Sequence, residues 1–423
     1  MPPLRILTCL AALPLLAISA FAAAPVKLGF NYPETGPYAA QGADQLRAAR
    51  LALDEINAAG GILGRPAELV IRDSKSKVDV TKVNVAELID QAGVKMVFGG
   101  SASNVAVAAG QVCQEKGVPF FGTLTYATGT TCEDAQRHTF RECYDSWAAA
   151  RVLAAYINKT YAGKKFLYVT ADYNWGHSTE ASFRKLTGTE DKELHKTILT
   201  PFPGATEDDF KKALSFAKLS KPDVLVLVSF GADMVYAVRQ ATAQGLKSKS
   251  AIIVPNLTLT MAEAAGPKIM EGVIGALPWD WSIPYKYNYA SGISFVESYA
   301  ARYKRYPCTA GASAYTIVHE YKAAVERAGS FDSPAVVRAL ENHRYTRLKD
   351  EQVWRAFDHQ SAQTVYAVRC KPEAQVLADK FQLDYFEVID SLPGDQAFLT
   401  REEWNARRVA AGKSTSLQPL PGE

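Results

Sequence analysis

Two α/β lobes, each a doubly wound parallel sheet, joined by three hinge crossovers, are what this sequence predicts. Three observations carry the prediction. From Val26 onward, short apolar runs bounded by turn residues alternate with helix-length segments, the pattern of parallel sheets with helices on both faces. There are more such runs than one open sheet ordinarily holds. The chain, at 423 residues, is long enough for two or three domains.

The first segment reads as a leader rather than as part of the fold. Arg5 precedes an apolar run over residues 6–21, and Ala20-Phe21-Ala22 ends it as a small-x-small cleavage site. The run falls short of the roughly 20 residues that span a bilayer, and Pro14 interrupts it. Cys9 stands at the start of the run, not after it, so it is no lipid anchor. Residues 1–22 are therefore expected to be removed on export to the periplasm.

The elements follow in order. Residues 26–30 form the first strand, Thr35-Gly36-Pro37 turns the chain, and Leu46, Ala49, Leu53 and Ile56 recur at helical spacing. Gly60-Gly61 ends that helix, since glycine accepts the left-handed conformation. A strand over 68–72 leads to a helix carrying Val83, Ala86 and Ile89. Runs at 95–98, 119–121, 166–170, 223–229 and 251–254 read as further buried strands. Crossings between lobes are expected near 141–146, 277–281 and 348–357. Lobe 1 is then 23–142 plus 278–347, and lobe 2 is 143–277 plus 348–392. Residues 393–423 form a C-terminal extension, partly disordered over the polar, proline-bearing end from Ser414.

Several functions are excluded by what is missing. With 47 basic and 44 acidic residues the formal charge is only +3, which gives no nucleic-acid partner. Gly60-Gly61-Ile62-Leu63-Gly64 follows a helix and opens none, so it is no dinucleotide fingerprint. Gly99-Gly100-Ser101-Ala102-Ser103 ends in serine where a nucleophile elbow needs glycine. The six histidines are scattered singly. No catalytic, metal or cofactor site is expected. Of the six cysteines, five follow the leader: Cys113, Cys132, Cys143, Cys308 and Cys370. An oxidising compartment permits bridges, and the short separation of Cys132 and Cys143 predicts one between them.

What is present is a binding chemistry. The loop Gly99-Gly100-Ser101-Ala102-Ser103-Asn104 follows one strand and opens a helix, whose free N–H groups and dipole favour an anion. Ser103 adds a hydroxyl. Thr123-Leu124-Thr125-Tyr126 follows the next strand in the same way, and together the two loops predict a carboxylate cradle. Serine and threonine also cap helices, the commoner use. In the second lobe Tyr173 and Trp175 follow one strand and Phe230 another, forming an aromatic wall, with Asn256 on the same rim.

These residues resemble the type I periplasmic solute-binding proteins, in the leucine/isoleucine/valine-binding branch. The resemblance spans about 26–390 and rests on Thr35-Gly36-Pro37, residues 52–64 (ALDEINAAGGILG), Gly99-Gly100-Ser101, Asp172-Tyr173 with Gly176, and residues 240–246 (QATAQGL). It implies a hinged two-lobe binder without catalysis, handing a small-molecule ligand to an ABC permease in the inner membrane; the chain is expected to act as a monomer. By the same resemblance Ser103, Leu124, Thr125 and Tyr126 hold the ligand's carboxylate, and Trp175 and Phe230 meet its side chain. Asn256 stands where branched-chain binders carry the acid that pairs with an ammonium, and Gln41 where some members carry an aromatic. Asp172 is a second candidate for the ammonium. An unpaired charge in a closed cleft is costly, so beside a branched-chain amino acid-like ligand the candidates are aromatic or aliphatic acids without an amine and neutral amides, and amine-free carboxylates are expected to bind better than leucine, isoleucine or valine. An exported ligand-sensing receptor of the same fold is the competing reading.

Overall fold

The computed structural model describes residues 24–423; the expected leader lies outside the described residues. Lobe 1 is a five-stranded parallel sheet of β1 (Val26–Tyr32), β2 (Ala67–Asp73), β3 (Met96–Gly99), β4 (Phe120–Gly122) and β5 (Thr139–Arg141), in the order β2-β1-β3-β4-β5. Its inner strands are apolar because helices cover both faces: Leu28, Phe30, Phe98, Phe121 and Phe140 are fully buried. On one face α1 (Ala39–Ala58) packs against the later helix Thr309–Ala328. Asp44 of α1 is buried there and satisfied by Tyr299 Oη (2.7 Å) and the N–H groups of Cys308 (3.2 Å) and Gly311 (2.6 Å). Gly61 ends α1 at φ +80°, and a Cβ there would lie 2.0 Å from the Arg65 carbonyl, so the position admits only glycine. The other covering helices are α2 (Val78–Asp90) and α3 (Ser103–Lys116).

The chain leaves β5 for lobe 2 and enters α4 (Ser146–Thr160), capped by the Asp145 side chain. Lobe 2 contains β6 (Phe166–Ala171), α5 (Asn174–Thr187), β7 (Thr197–Thr200), α6 (Glu207–Ser220), β8 (Val224–Val228), α7 (Ala232–Ala243), β9 (Ala251–Asn256) and β10 (Ile274–Leu277). After β10 four helices follow, Ser282–Tyr287, Ala290–Tyr303, Thr309–Ala328 and Ser333–Leu340, as the chain returns to lobe 1. It then forms a small antiparallel sheet of β11 (Arg344–Tyr345), β12 (Gln352–Trp354) and β13 (Ser361–Ala362). It closes lobe 2 with β14 (Val365–Cys370) and β15 (Phe386–Leu392), giving the order β15-β14-β10-β9-β8-β6-β7. β14 runs antiparallel to both β10 and β15, unlike the all-parallel expectation: the last crossing brings β14 into the sheet in the opposite sense, and the connection with the short helix Glu373–Ala378 returns the chain beside it as β15.

The third crossing lies later than 348–357. Leu348 and Trp354 belong to the lobe 1 core with Tyr345, and the chain changes lobes between β13 and β14. At the junction Glu142, Trp279 and Gln363, one from each connection, line a small cavity of about 10 Å³ together with Lys349. Lys349 Nζ donates to the carbonyls of Pro278 (2.6 Å) and Thr364 (2.5 Å), and burial pushes its pKa down to about 8.

Two further expectations are corrected. The extension after 392 is folded: the helix Arg401–Ala410 carries Trp404 into a cluster with Cys132, Ala135 and Trp147, and Leu420 is buried against lobe 1. Apolar residues spaced among the charges supply the anchor. Cys132 and Cys143 are free thiols, as are Cys113, Cys308 and Cys370. Cys132 faces Trp404, whereas Cys143 turns under the β4 loop toward the Thr125 carbonyl (3.4 Å). They sit in separate clusters.

Candidate functional site

The loops at the carboxyl ends of β1, β3, β4, β6 and β8 converge between the lobes, where open α/β sheets bind ligands. They enclose a small, nearly filled cavity of about 10 Å³ lined by Ser101, Ala102, Ser103, Leu124, Tyr126, Tyr173, Trp175 and Phe230. Six of the eight residues singled out in the sequence are thus brought together. Thr125 and Asn256 are not among the lining residues.

The lobe 1 side is built from N–H groups. The N-cap of α3 is Ala102, which offers no side-chain cap; the Val105 N–H is taken by Asn104 Oδ1 (3.1 Å), and those of Ser103 and Asn104 stay open to an anion. Ser103 therefore does not cap. Its Oγ accepts from the Ala127 N–H (2.9 Å) and keeps its own proton to donate. In the β4 loop three successive carbonyls turn into the protein: Thr125 to Cys143, Tyr126 to Ser146 N and Oγ (both 2.7 Å), and Ala127 to Arg141. None of these oxygens is left to repel a carboxylate. Among the described residues the N–H groups of Leu124, Thr125 and Tyr126 make no backbone hydrogen bond. The Thr125 hydroxyl pairs with Thr130 Oγ1 (2.8 Å), so this residue offers only its backbone.

Arg141 holds the loop from behind. It is fully buried and reaches Thr131 Oγ1 (2.6 Å), Asp145 Oδ2 (3.0 Å) and Gln360 Oε1 (2.5 Å) besides the Ala127 carbonyl. One guanidinium thus ties the cradle to the first and third connections between lobes. Its five donors in a rigid fork suit this; lysine has no such fork.

The opposite side is aromatic. Phe230 meets Tyr126 at 5.4 Å and 69°, and Trp175 at 6.0 Å and 67°. Tyr38, from the loop after β1, packs edge-on against Phe230 at 5.4 Å, and its hydroxyl bonds that of Tyr173 (3.0 Å). Tyr38 is the lobe 1 aromatic of the cleft. Gln41 instead donates to Thr260 Oγ1 across the seam (3.1 Å). Tyr173 stacks on Phe202 at 3.8 Å. The Asn256 Oδ1 accepts from Trp175 Nε1 (3.2 Å), so it sits behind the indole, and its Nδ2 has no partner. Asp172 is half exposed and pairs with His177 (2.9 Å), so it does not face the cleft. The acid near the cleft is Asp233, in the first turn of α7, 6% exposed. Burial pushes its carboxyl up to about 7. Burial, with the charge of Asp233 adding, also raises the Tyr38 and Tyr173 phenols.

Sequence reading missed Tyr38, Phe202 and Asp233, and it put Ser101 and Ala102 in the cradle loop without singling them out as lining residues. Tyr38 directly follows the Thr35-Gly36-Pro37 turn and Ser101 lies inside the glycine loop, so both carried a positional signal. Phe202 and Asp233 carried none. The lobes are shut on each other: besides the tyrosine pair, Ala232 N donates to the Pro37 carbonyl (3.3 Å) and Thr128 N to Ser178 Oγ (3.1 Å).

The family profile described as "Periplasmic binding protein" matches residues 25–375. Leu/Ile/Val-binding protein homolog 7 of Brucella suis is 28% identical over 77% of this chain and 83% of its own. A periplasmic binding protein from Burkholderia mallei shares the fold with a TM-score of 0.81 at 26% identity, over 90% of this chain and 98% of that one. A solute-binding protein from R. palustris, solved in complex with benzoate, has a TM-score of 0.74 at 21% identity, over 88% and 97%. Profile, relatives and two-lobed architecture agree: the chain belongs to the periplasmic binding protein family, in its Leu/Ile/Val-binding branch.

Proposed function

We propose that this protein is the ligand-capturing component of an ABC importer, exported to the periplasm, which closes its lobes over a small carboxylate lacking a primary amine. The observation that carries the reading is the closed cavity itself. It has an N–H cradle on one lobe, rings from both lobes around it, and direct hydrogen bonds across the seam. A polar cradle and an apolar wall on different lobes complete their contacts only when the lobes meet. The lobes as they stand leave about 10 Å³ between the lining side chains, about the room of one water, so a ligand enters only with the lobes parted, and a small one is favoured. Asn256 supports the absence of an ammonium: it is a neutral amide held behind the Trp175 indole, so it brings no carboxylate to the cleft to pair with a cation. Leucine, isoleucine and valine, after which the relatives are named, and benzoate, bound in the R. palustris neighbour, are all carboxylates, which accords with the cradle.

The test is a thermal-shift panel of amino acids, aliphatic acids, aromatic acids and amides, followed by calorimetry. Amine-free carboxylates are expected to bind more tightly than leucine, isoleucine or valine. Micromolar leucine binding with no response to other acids would overturn the ligand class. Asn256→Glu is expected to shift preference back toward amino acids.

A further inference from the structure

We infer that the C-terminal extension is a fourth connection between the lobes, a strap that holds them in the shut arrangement and resists their parting. It acts on the two lobes themselves, whatever ligand lies between them.

The extension begins on lobe 2 and ends on lobe 1. Its first turn lies against the third connection, where a Cβ on Gly394 would come within 2.5 Å of the Gln363 N. Arg151 of α4, in lobe 2, donates to the carbonyls of Gln396 (3.2 Å) and Phe398 (3.4 Å). At the far end Arg137 of lobe 1 donates to the Gln418 carbonyl (3.4 Å) and pairs with Glu423 (3.2 Å). Leu420 is buried in the lobe 1 core.

Between these ends a single helix, Arg401–Ala410, grips both lobes. Glu403 pairs with Arg151 of lobe 2 at 2.7 Å. The next residue, Trp404, donates to the Thr131 carbonyl of lobe 1 (2.8 Å). One turn on, Arg407 pairs with Glu133 (2.9 Å) and Arg408 donates to the Cys132 carbonyl (2.5 Å), both in lobe 1. The Trp404 ring belongs to one apolar cluster with Cys132 and Ala135 of lobe 1 and Trp147 and Leu186 of lobe 2. Hinge loops absorb a rotation by changing φ and ψ, which the hydrogen-bonded interior of a helix does not do. This helix can therefore follow one lobe but not both. Parting the lobes breaks its bonds to one of them, and those bonds favour the shut state.

The experiment is hydrogen exchange and solution scattering on the purified protein freed of bound solutes, comparing the parent with Arg151→Met. Methionine keeps an apolar stem beside Trp147, removes the donors to Gln396, Phe398 and Glu403, and leaves the lobe 1 anchors in place. The Thr128 and Ala232 amides, which donate across the seam, are expected to exchange about fivefold faster or more. The radius of gyration should rise, and amides inside β1 and β8 should keep the parent's rates. Glu403→Gln retains the capping box with Thr400 and loses the ion pair, so it should move the same seam amides in the same direction by a smaller factor. Circular dichroism would verify that both variants are folded. Seam exchange and radius equal to the parent's in folded variants would overturn the inference. Exchange rising as much inside β1 and β8 as at the seam would also overturn it, because the extension would then stabilise the fold without holding the lobes together.

Discussion

Ser103 shows how one hydroxyl serves two bonds. It accepts from the Ala127 N–H, which sets the β4 loop, and its own proton is free for the ligand. Removing it should lose a charge-assisted bond of roughly 1.5–3 kcal/mol, so Ser103→Ala is expected to weaken carboxylate binding roughly 10- to 150-fold by calorimetry. Unchanged affinity would remove Ser103 from the cradle. Asp233 gives a pH signature in the ligand-free protein. A carboxyl whose folded pKa exceeds its unfolded value makes the folded state hold more protons between the two, so stability falls as pH rises across that window. For Asp233 the window runs from 3.8 to about 7; Asp280, raised by burial to about 6, adds to it. Melting temperature is therefore expected to decline through this range, and less steeply in Asp233→Asn. An identical slope in the variant would show that Asp233 is not a buried anion. Ser103 was legible because serine after a glycine loop has a known chemistry. Asp233 was not, because an acid in a first helical turn ordinarily faces solvent.

At the scale of elements, two junctions decide how the molecule works. Gly231 precedes α7 at φ +63°, and a Cβ there would lie 2.5 Å from the Pro37 carbonyl and 2.6 Å from the Tyr38 ring. Both atoms belong to the other lobe, so this glycine is what lets the lobes meet. Gly231→Ala should keep native circular dichroism yet lose at least about tenfold in affinity, since strain in that region alone costs about 1–3 kcal/mol. Solution scattering should show no contraction with ligand; contraction equal to the parent's would refute the role. The second junction is the C-terminal helix. Trp404 is fully buried and donates from Nε1 to the Thr131 carbonyl (2.8 Å), beside the loop whose Thr131 hydroxyl receives Arg141. Trp404→Ala is expected to lower stability by about 3–5 kcal/mol in denaturant unfolding. A change below about 1 kcal/mol would mean that the helix does not brace the fold.

For the whole molecule, what the sequence alone determined was the kind of elements and where ligands could meet them. Alternating apolar runs, glycine stops and the residues after each strand are local properties, set by backbone sterics and by burial on two sheet faces. They suffice for two doubly wound lobes and for six of the residues that line the cavity. Tertiary structure decided what depends on partners distant in the chain. It turned the Thr125 hydroxyl inward to Thr130 and put Asn256 behind Trp175. It left Cys132 and Cys143 apart, because each thiol follows the cluster that buries it and not its neighbour in sequence. It also moved the last crossing past Trp354, a residue that lobe 1 buries. Apart from the Thr125–Thr130 pair, five residues apart, those outcomes follow from packing and hydrogen bonds between distant segments, 81 residues apart for Trp175 and Asn256 and 272 for Cys132 and Trp404, which no local pattern encodes.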